Sequence, residues 1–390
     1  MESQYETVKD LYASDLNERI LEVKAVYANE VRCIDRERQA LLKFKHGLVD
    51  DHGILSSWGS EEVKKECCKW KGISCSNRTG HVVSLDMHVP PSDGYVYLEA
   101  AKLIPALLEL QNLNYLDLSF VDFGSEIPKF IGSFKKLRHL NLSGTFFIGE
   151  VPCELGNLTN PHTLDLRYND LRIKNLEWLS HLSLMSFLDL SHNDFGRSEI
   201  PRFFGYFKKL RRLKLSVSNF TGEVPCELGN LTNLHTLNLH ENNFRIKNLE
   251  WLSHLSLLSY LDLSGVNLMN QTSWLHHMTR FPFLEELFLS YCRLPNIMPS
   301  FNILTNSSLP YLSILDLSSN DLTSSFAFHW LFNFSANVTK FSSLRFLILN
   351  NNKLNGFHPQ SLGLPSSLES LELFDNQFRR LPEDAFPNWL

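Results

Sequence analysis

The sequence predicts an α/β solenoid, a right-handed superhelix whose short strands form one parallel sheet along the concave face. Three observations predict it: an L-x-x-L-x-L pattern recurs mostly at steps of 24 residues, residues 147–191 recur with few changes as 220–264, and four of the seven cysteines precede the first repeat. Modules this short cannot bury their apolar side alone, so they must stack and share one core.

The repeats align on the first apolar residue of the pattern. A weak first unit, VVSLDM, begins at Val82, and the other units begin at Leu113, Leu137, Pro161, Met185, Leu210, Leu234, Leu258, Leu284, Leu312, Leu344 and Leu368. In each unit the x-L-x-L-x stretch predicts a strand with inward leucines, and successive strands pair in parallel roughly 4.8 Å apart. We therefore expect a horseshoe of about 11–12 leucine-rich repeats over residues 81–390.

Three residues after the last leucine of the strand, the pattern usually places an asparagine. A buried amide there can hydrogen-bond the backbone of the turn, because buried N–H and C=O groups need partners. The asparagines are Asn169, Asn193, Asn242, Asn320, Asn352 and Asn376. The departures, whose turns we expect to be less tightly held, are Val121, Thr145, Ser218, Val266 and Cys292. We interpret Cys292 as a core residue and not as a reactive thiol.

The outer side of the repeats follows two patterns. G-x-[IV]-P, or its variant S-E-I-P, occurs at 125–128, 149–152, 198–201 and 222–225. It predicts a second extended segment that ends at a proline, which cannot donate a ladder hydrogen bond. Units that read RIKNLEWLSHLSL carry apolar residues at helical spacing, which predicts a short helix on the convex side.

Residues 33–80 predict an N-terminal cap, because the first repeat of a solenoid would otherwise expose its leucines to water. Asp35 is the predicted helix N-cap, and Gly47 lies near the predicted helix end. Trp58 and Trp70 are large enough to cover the first repeat. We interpret both as packing residues and not as ligand contacts.

The cap contains Cys33, Cys67, Cys68 and Cys75, and disulfides help most where a core is thin. If the vicinal pair is not bonded to itself, two crosswise pairings remain open. A zinc site is the competing interpretation, but C-C-x6-C without nearby histidines has poor zinc spacing. The pattern favours disulfides and an oxidising compartment.

Cys153 and Cys226 are copies of one position, three units apart. Three strand spacings amount to roughly 14 Å, whereas the Cα atoms of a disulfide lie within about 7 Å. We expect both thiols to be free and functionally neutral.

Nine N-x-[ST] sequons support a secretory location, because such asparagines are acceptors for N-glycans. One of them, Asn141, lies in a predicted strand, where a glycan would crowd the concave surface. The predicted acceptors are Asn77, Asn141, Asn157, Asn219, Asn230, Asn270, Asn306, Asn333 and Asn337.

The cap pattern C-I-x-x-E-R-x-A-L-L-x-F-K, followed by L-S-S-W, C-C-K-W-x-G-I-x-C and T-G-H-V-V-x-L-D, resembles the cap of plant leucine-rich-repeat receptors. The L-x-x-L-D-L-S-x-N consensus with G-x-I-P is the plant-specific repeat type. Units with N-L-E-W-L-S-H-L-S-L, and W-L-F-N-F-S at 330–335, resemble receptor-like proteins of the class that includes tomato receptors for fungal xylanase. The resemblance covers residues 33–390.

The resemblance implies a plasma-membrane receptor with an extracellular repeat domain, a membrane helix, a short tail and no kinase of its own. It also implies the disulfides Cys33–Cys67 and Cys68–Cys75. The N-terminal extension, residues 1–32, lacks the apolar region of a secretory signal, and no run of eighteen apolar residues predicts a membrane span. Because the chain stops at Leu390 inside a repeat, we expect a truncated product.

Composition and motifs exclude several function classes. A net charge of −6 without a dominant basic patch argues against a nucleic-acid partner. Phosphate-binding loops, zinc-protease motifs, nucleophile elbows and kinase motifs do not occur in the sequence. We therefore predict a binding protein with no cofactor, no metal and no catalytic residue.

Ligand recognition is predicted on the concave face, at variable residues that flank the strand leucines. Most units carry Asp at the middle exposed position, which we interpret as a feature of the repeat type. Residues that replace this Asp, or that flank it, are more informative, because exposed arginines and aromatic residues anchor interfaces. The alternative is that the basic residues are ordinary solvated surface and that the aromatic residues pack on neighbouring strands. The predicted ligand-binding residues are Arg167, Tyr168, Arg211, Arg212, Lys214, His240, Glu241, Phe288 and Tyr291, with Phe346 and Ile348 as further exposed apolar residues.

The leading hypothesis is a receptor ectodomain fragment that binds a peptide or protein ligand and acts through co-receptor kinases in defence or development. One alternative is a soluble secreted inhibitor of microbial cell-wall-degrading enzymes, and another is a non-functional truncated duplicate. The inhibitors have fewer repeats and a second cysteine cluster after them. This chain has more repeats and no such cluster, which favours the receptor.

Overall fold

The computed structural model describes residues 32–88, 98–172, 175–296, 309–323, 341–355 and 366–378. Within these residues, thirteen strands form one sheet in which all neighbours pair in parallel except the first two. The predicted solenoid with a long parallel sheet is confirmed. Among the described residues, no helix is both long enough and apolar enough to cross a membrane.

Every strand is short, because each repeat contributes only a few extended residues before the chain turns to the next side of the solenoid. The strands are β1 (Leu48–Val49), β2 (Ile73–Cys75), β3 (Val82–Asp86), β4 (Leu98–Ala100), β5 (Tyr115–Asp117), β6 (Val121–Asp122), β7 (His139–Asn141), β8 (Ile148–Glu150), β9 (Thr163–Asp165), β10 (Asp170–Arg172), β11 (Phe187–Asp189), β12 (Arg212–Lys214), β13 (Thr221–Glu223), β14 (Thr236–Asn238), β15 (Asn243–Arg245), β16 (Tyr260–Asp262), β17 (Glu286–Phe288), β18 (Ile314–Asp316), β19 (Phe346–Ile348) and β20 (Ser370–Glu372).

The repeats are connected, on the side opposite the main sheet, by short helices, and further helices lie in the cap. The α-helices of the described residues are α1 (Asp35–His46) and α2 (Trp274–Met278). The 3₁₀ helices are Glu62–Lys64, Cys67–Lys69, Pro105–Glu109, Lys129–Ser133, Cys153–Asn157, Glu177–His181, Arg202–Tyr206, Cys226–Asn230 and Glu250–His254. The short helix predicted for E-W-L-S-H is therefore present, as one 3₁₀ turn in each copy.

The main sheet runs β2-β3-β5-β7-β9-β11-β12-β14-β16-β17-β18-β19-β20. The register pairs the central leucine of each strand with that of the next, as in Leu164 with Leu188 and Leu188 with Leu213. These leucines are buried, except for the half-buried Leu371 of β20, and they form one core that continues from the cap to the last described repeat. Because parallel strands lie about 4.8 Å apart and helices need more room than strands, the sheet is expected to form the concave face.

Two smaller parallel sheets lie beside the main one. β8 pairs with β10, and β13 pairs with β15 in the same register three repeats later. Both β8 and β13 end shortly before the proline of G-E-V-P, so the second extended segment predicted from that motif is confirmed. A third small sheet, in the order β1-β4-β6, joins the cap to the first repeats.

Each turn asparagine bonds the backbone of two repeats. The Nδ2 of Asn193 donates to the carbonyls of Leu166, Leu190 and Ser191 at 2.9–3.1 Å, and its Oδ1 accepts from the N–H of Leu171. The other turn asparagines are bonded in the same way. The ladder thus satisfies backbone groups that the turn would otherwise leave buried and unpaired.

Three of the five departures keep part of this ladder. Thr145 Oγ1 donates to the Leu142 carbonyl at 2.7 Å, and Ser218 Oγ donates to that of Leu190 at 3.0 Å. Cys292 is fully buried, and its thiol contacts the Leu263 carbonyl oxygen at 3.1 Å. Burial raises the pKa of this thiol, so the interpretation of Cys292 as a core residue agrees with its surroundings.

The cap is closed by two disulfides and a pair of stacked indoles. Cys33 is bonded to Cys67, and Cys68 to Cys75. Trp58 is buried at the end of the core, and its ring stacks on Trp70 with the centroids 5.2 Å apart. Both indole N–H groups donate to backbone carbonyls, which satisfies the polar end of each ring.

The start of α1 differs from the prediction. Ile34 occupies the N-cap position without a side-chain cap, and Asp35 is the first helical residue. Its carboxylate accepts from the Arg38 guanidinium instead of from the helix backbone, which lowers the pKa of Asp35. A second carboxylate, Glu37, is fully buried; it contacts the His81 ring at 2.8 Å and accepts from the Val82 N–H at 2.6 Å. Glu37 thereby attaches the cap helix to the first strand of the main parallel array.

Candidate ligand-binding surface on the concave face

The main sheet presents its outward side chains in columns, because parallel strands place equivalent residues side by side. The first column precedes the central leucine of each strand and contains Ser84, Tyr115, His139, Thr163, Phe187, Arg212, Thr236, Tyr260, Glu286, Ile314, Phe346 and Ser370. The middle column follows that leucine and contains Asp86, Asp117, Asn141, Asp165, Asp189, Lys214, Asn238, Asp262, Phe288, Asp316, Ile348 and Glu372.

The aspartates of the middle column have a structural role. Asp117 Oδ1 accepts from the backbone N–H of Ser119 at 2.9 Å, and Asn141 accepts from that of Ser143 at 3.0 Å. Asp86, Asp165, Asp189, Asn238, Asp262 and Asp316 accept from the residue two positions on in the same way. An Asp or Asn at this position therefore holds the turn after the strand. Lys214, Phe288 and Ile348 have no such acceptor.

A cluster of charged side chains lies on strands β9 to β14. Arg167 places its Nε 3.5 Å from Asp165 Oδ2 and its Nη1 3.9 Å from Asp189 Oδ2. Burial and the adjacent charge of Asp189 raise the pKa of Asp165 to about 6, although the charges of Arg167 and Lys214 oppose the shift. Lys214 lies between Asp189 and Asn238 in the middle column. Charge interactions are stronger in this partly buried setting than in water, which suits recognition of a charged ligand group.

Three predicted residues, Tyr168, His240 and Glu241, lie at the carboxyl-terminal edge of this cluster. Tyr168 is 52% exposed, and its ring stacks on His192 with the centroids 4.2 Å apart. Three units after Tyr168 along this edge, His240 Nε2 lies 3.6 Å from Glu241 Oε1. Burial lowers the pKa of His192, which favours the neutral imidazole that stacks on the tyrosine. His192 was not among the predicted residues, although its place one unit after Tyr168 would have indicated it.

The basic residues of β12 differ in their surroundings. Arg211 precedes the strand, which begins at Arg212, so the predicted basic strand contains two of the three residues. Both arginines are exposed, and neither has an ion pair within the part of the chain that the structure describes. Lys214 is half-buried beside Asp189. The two guanidinium groups are therefore the more available cations.

An aromatic group lies on β16 and β17. The rings of Tyr260 and Phe288 are 5.5 Å apart, and both side chains are half-buried. Tyr291 is 68% exposed beyond the end of β17. Phe346 and Ile348, further along the sheet, are half-buried like Phe288, on either side of the buried Leu347. Both lie on β19, where Phe346 is paired with Ile314 and Ile348 with Asp316 of β18.

Two aromatic contacts on the concave face were not predicted from the sequence. Tyr115 stacks on His139 with the ring centroids 4.2 Å apart, and Tyr260 packs on Phe288. Both tyrosines occupy the first column. Aligning the repeats column by column would have revealed them, because Tyr in the first column stands out from the Ser and Thr of other repeats.

The sequons differ in the use of their side-chain amides. Asn141 Nδ2 donates to Asp117 Oδ2 at 2.9 Å, and Asn219 Nδ2 donates to Asp194 Oδ1 at 2.9 Å. Asn157 and Asn230 are exposed at the ends of 3₁₀ helices, with no side-chain hydrogen bond among the described residues. Asn77 and Asn270 are exposed as well, whereas Asn306, Asn333 and Asn337 lie outside the described residues.

We expect Asn157 and Asn230 to carry glycans and Asn141 to carry none when the chain is produced in a secretory host. A glycan on Asn141 would disturb the hydrogen bond to Asp117 and crowd the middle column, whereas the other two amides face solvent. Glycopeptide mass spectrometry measures the occupancy of each site. Thr159→Ala and Thr232→Ala serve as controls, because each removes one sequon. Occupancy of Asn141 in the folded protein would contradict the expectation.

Comparison with known proteins identifies the family. A model of the leucine-rich repeat region matches residues 95–325, and a model of the leucine-rich-repeat N-terminal domain matches residues 34–76. The chain belongs to the leucine-rich-repeat family. A further leucine-rich-repeat model matches residues 343–364. The cap and the repeats of this leucine-rich-repeat protein are therefore recognised separately.

The proteins of known family that this chain resembles are plant receptor-like proteins. It is 38% identical to receptor-like protein EIX1 of Solanum lycopersicum, over 89% of this chain and 27% of that protein. It is 40% identical to receptor-like protein EIX2 of the same species, over 84% of this chain and 34% of that protein. The resemblance to plant leucine-rich-repeat receptor-like proteins is thus confirmed. The chain spans roughly a third of the length of these relatives.

Solved plant ectodomains share the fold. The crystal structure of PEPR1–AtPEP1 matches 88% of this chain and 49% of that chain, with a TM-score of 0.62 and 26% identity. The ectodomain of the Arabidopsis thaliana receptor kinase GASSHO1/SCHENGEN3, solved with CASPARIAN STRIP INTEGRITY FACTOR 2, matches 90% of this chain and 46% of that chain, with a TM-score of 0.63 and 22% identity. The similarity to leucine-rich-repeat receptor-like proteins and ectodomains supports the prediction of a non-enzymatic binding protein.

Proposed function

We propose that this leucine-rich-repeat protein is the ligand-recognition part of a plant cell-surface receptor-like protein, and that strands β9 to β17 bind an extended peptide or a segment of a protein. The bound receptor would signal in defence or development through partner kinases. The similarity to receptor-like proteins of tomato and to a receptor solved with AtPEP1 supports the ligand class. The disulfide-closed cap supports an extracellular location.

The observation that carries the proposal is the grouping of residues without a turn-holding role on strands β12 to β17 of the main sheet. Arg212 is exposed and has no ion pair among the described residues. In the middle column, Lys214 stands where most repeats have Asp, and Phe288 replaces the Asp three units later. Tyr168 and Tyr291 lie exposed on the edge of the same stretch. Arginine and aromatic side chains of this kind contribute most of the binding energy of protein interfaces.

Selection of a random-peptide phage library on the immobilised chain tests the proposal. Peptides that bind should lose affinity about tenfold or more for Tyr168→Ala and for the double variant Arg212→Ser/Lys214→Ser, because anchor residues contribute ~2 kcal/mol each. Tyr206→Ala is the matched control, since Tyr206 is 72% exposed on a 3₁₀ helix away from the main sheet. Equal affinity for the concave variants and the wild type would refute the proposal.

A further inference from the structure

The amino-terminal edge of the main sheet carries no carboxylate along most of its length. In each repeat this edge is formed by the two residues before the first apolar residue of the pattern, by the residue after it, and by the first column. From the repeat that begins at Val82 to the repeat that begins at Leu258, no Asp or Glu occupies these positions, and acidic residues return only with Glu285 and Glu286. Because the whole chain has a net charge of −6, its composition does not explain this gap.

Lysine and arginine are concentrated in two repeats of this edge, three units apart. Their side chains are exposed, and none of them has an ion pair in the ranges that the structure describes. Two of the ammonium groups bond neutral oxygen atoms: Lys136 Nζ donates to Asn112 Oδ1 at 2.6 Å, and Lys208 Nζ donates to the Asn230 carbonyl at 3.1 Å. The charges are therefore available to an anionic partner. The first basic cluster contains Lys135, Lys136 and Arg138, and the second contains Lys208, Lys209, Arg211 and Arg212.

A groove of about 460 Å³ lies between the cap and the first basic cluster. All three cations of that cluster line it together with Arg78, and none of the described residues that line it is Asp or Glu. Arg78 is exposed, whereas the His81 ring contacts the buried Glu37 and is already partnered. Cations and amide donors without carboxylates suit an anionic group. The amides that line the groove belong to Asn112, Asn114 and Asn160.

The spacing of the two clusters fits an extended peptide. The strand order β7-β9-β11-β12 places three strand spacings between them, which amount to roughly 14 Å. An extended peptide rises roughly 3.4 Å per residue, so residues about four positions apart reach both clusters. Between the clusters, the repeat that begins at Met185 presents the half-buried Leu184 and Phe187 and no charged residue on the edge. A polyanion with a charge on every unit would leave anionic groups over these apolar side chains, whereas a peptide can place an apolar residue there.

We propose that this edge binds an acidic segment of the polypeptide ligand, with acidic residues about four positions apart and an apolar residue between them. The inference rests on the proposed function, because the edge adjoins the concave face at Arg212, which belongs to both. Charge pairs at an exposed edge chiefly raise the association rate and discriminate against ligands of the wrong charge. The basic edge thus selects acidic ligands, and the aromatic residues of the concave face hold them.

The first test selects a random-peptide phage library on the immobilised whole chain, with its glycans trimmed enzymatically because the Asn77 sequon adjoins Arg78. The pool selected on the wild type should contain pairs of Asp or Glu about four positions apart more often than the unselected library does. A pool selected on the variant Lys136→Gln/Arg138→Gln/Lys209→Gln/Arg211→Gln should not. All four side chains are exposed, so this variant should fold.

Binding kinetics of acidic peptides from the wild-type pool provide the second measurement. Each edge variant, Lys136→Gln/Arg138→Gln or Lys209→Gln/Arg211→Gln, should weaken binding about fivefold, mostly through the association rate, and added salt should remove the difference. Lys43→Gln/Lys69→Gln is the matched control, because it removes the same charge from exposed positions of the cap. It should change the affinity by less than about twofold.

A wild-type pool without paired acidic residues, or equal losses for the control and the edge variants, would overturn the inference. So would tighter edge-dependent binding of polygalacturonate than of the peptides, which would indicate an acidic polysaccharide as the partner. Tyr168→Ala separates this inference from the proposed function. If it weakens peptide binding and the edge variants do not, only the role of the basic edge is wrong; if the edge variants alone weaken binding, the edge has its role and the concave face does not.

Discussion

Asp165→Asn is expected to raise the free energy of unfolding by ~3 kcal/mol at pH 7.5 and by only ~1 kcal/mol at pH 4.5. The pKa of Asp165 is raised from 3.8 to about 6 in the folded protein, mainly by burial and by the charge of Asp189. Its protonated form therefore stabilises the fold below pH 3.8, and this contribution is lost as the pH rises through 6. Asparagine avoids the loss and can still accept the turn N–H, as Asn141 and Asn238 do.

Asp117→Asn, at the same position of another repeat, should have the opposite sign. Burial raises the pKa of Asp117, but the His139 ring 3.9 Å away and the hydrogen bonds from Ser119 and Asn141 outweigh this effect and lower the pKa from 3.8 to about 2. The ionised form thus stabilises the fold above pH 3.8, and that stabilisation is lost only as the pH falls through 2. The variant should lose ~2 kcal/mol at both pH 7.5 and pH 4.5.

Urea unfolding followed by circular dichroism at the two pH values measures both effects. Because a repeat protein can unfold in parts, the comparison between the two variants is more informative than either absolute value. Equal effects of the two substitutions would contradict the claim that folding raises the pKa of Asp165 and lowers that of Asp117. A loss of stability for Asp165→Asn at pH 7.5 would contradict it as well.

Asn193→Ala is expected to lower the free energy of unfolding by ~3 kcal/mol, because the buried amide leaves several backbone groups unpaired. The lost bonds join the Leu166 carbonyl of one repeat and the Leu171 N–H to the turn of the next repeat. The effect should be local at first. Amide hydrogen exchange should accelerate in the turns around Asn193 before it does so near the cap.

Thr145→Val is the matched control for this substitution. Valine occurs naturally at the equivalent positions Val121 and Val266, and the Leu142 carbonyl keeps the hydrogen bond from Asn169 when the threonine donor is removed. We expect a loss of only ~1 kcal/mol. If Asn193→Ala and Thr145→Val were equally destabilising, the asparagine ladder would not have the role described.

The fold could be predicted from the sequence because one short pattern is repeated many times. The leucines, turn asparagines and prolines each determine a local feature, and stacking them leaves few choices for the sheet. The start of α1 was less predictable: Asp35 has the chemistry of an N-cap, but the Arg38 guanidinium one turn later binds its carboxylate. Such competition between neighbours is not visible in residue type alone.

The candidate binding surface was predictable in place but not in its electrostatics. The columns follow from the repeat register, and the departures from Asp at Lys214 and Phe288 are visible in the sequence. The opposite pKa shifts of Asp117 and Asp165 depend on which residues lie on neighbouring strands and on how deeply each carboxylate is buried.

The central claim is that the concave face between β9 and β17 contacts the ligand. A photo-crosslinking phenylalanine analogue in place of Tyr168, Tyr291 or Tyr206 tests it most directly, with a peptide selected from the phage library. The three tyrosines are similarly exposed, at 52%, 68% and 72%, so solvent access does not distinguish them. We predict that the peptide crosslinks from positions 168 and 291 and not from position 206. Crosslinking from position 206 alone, or equally from all three, would contradict the claim.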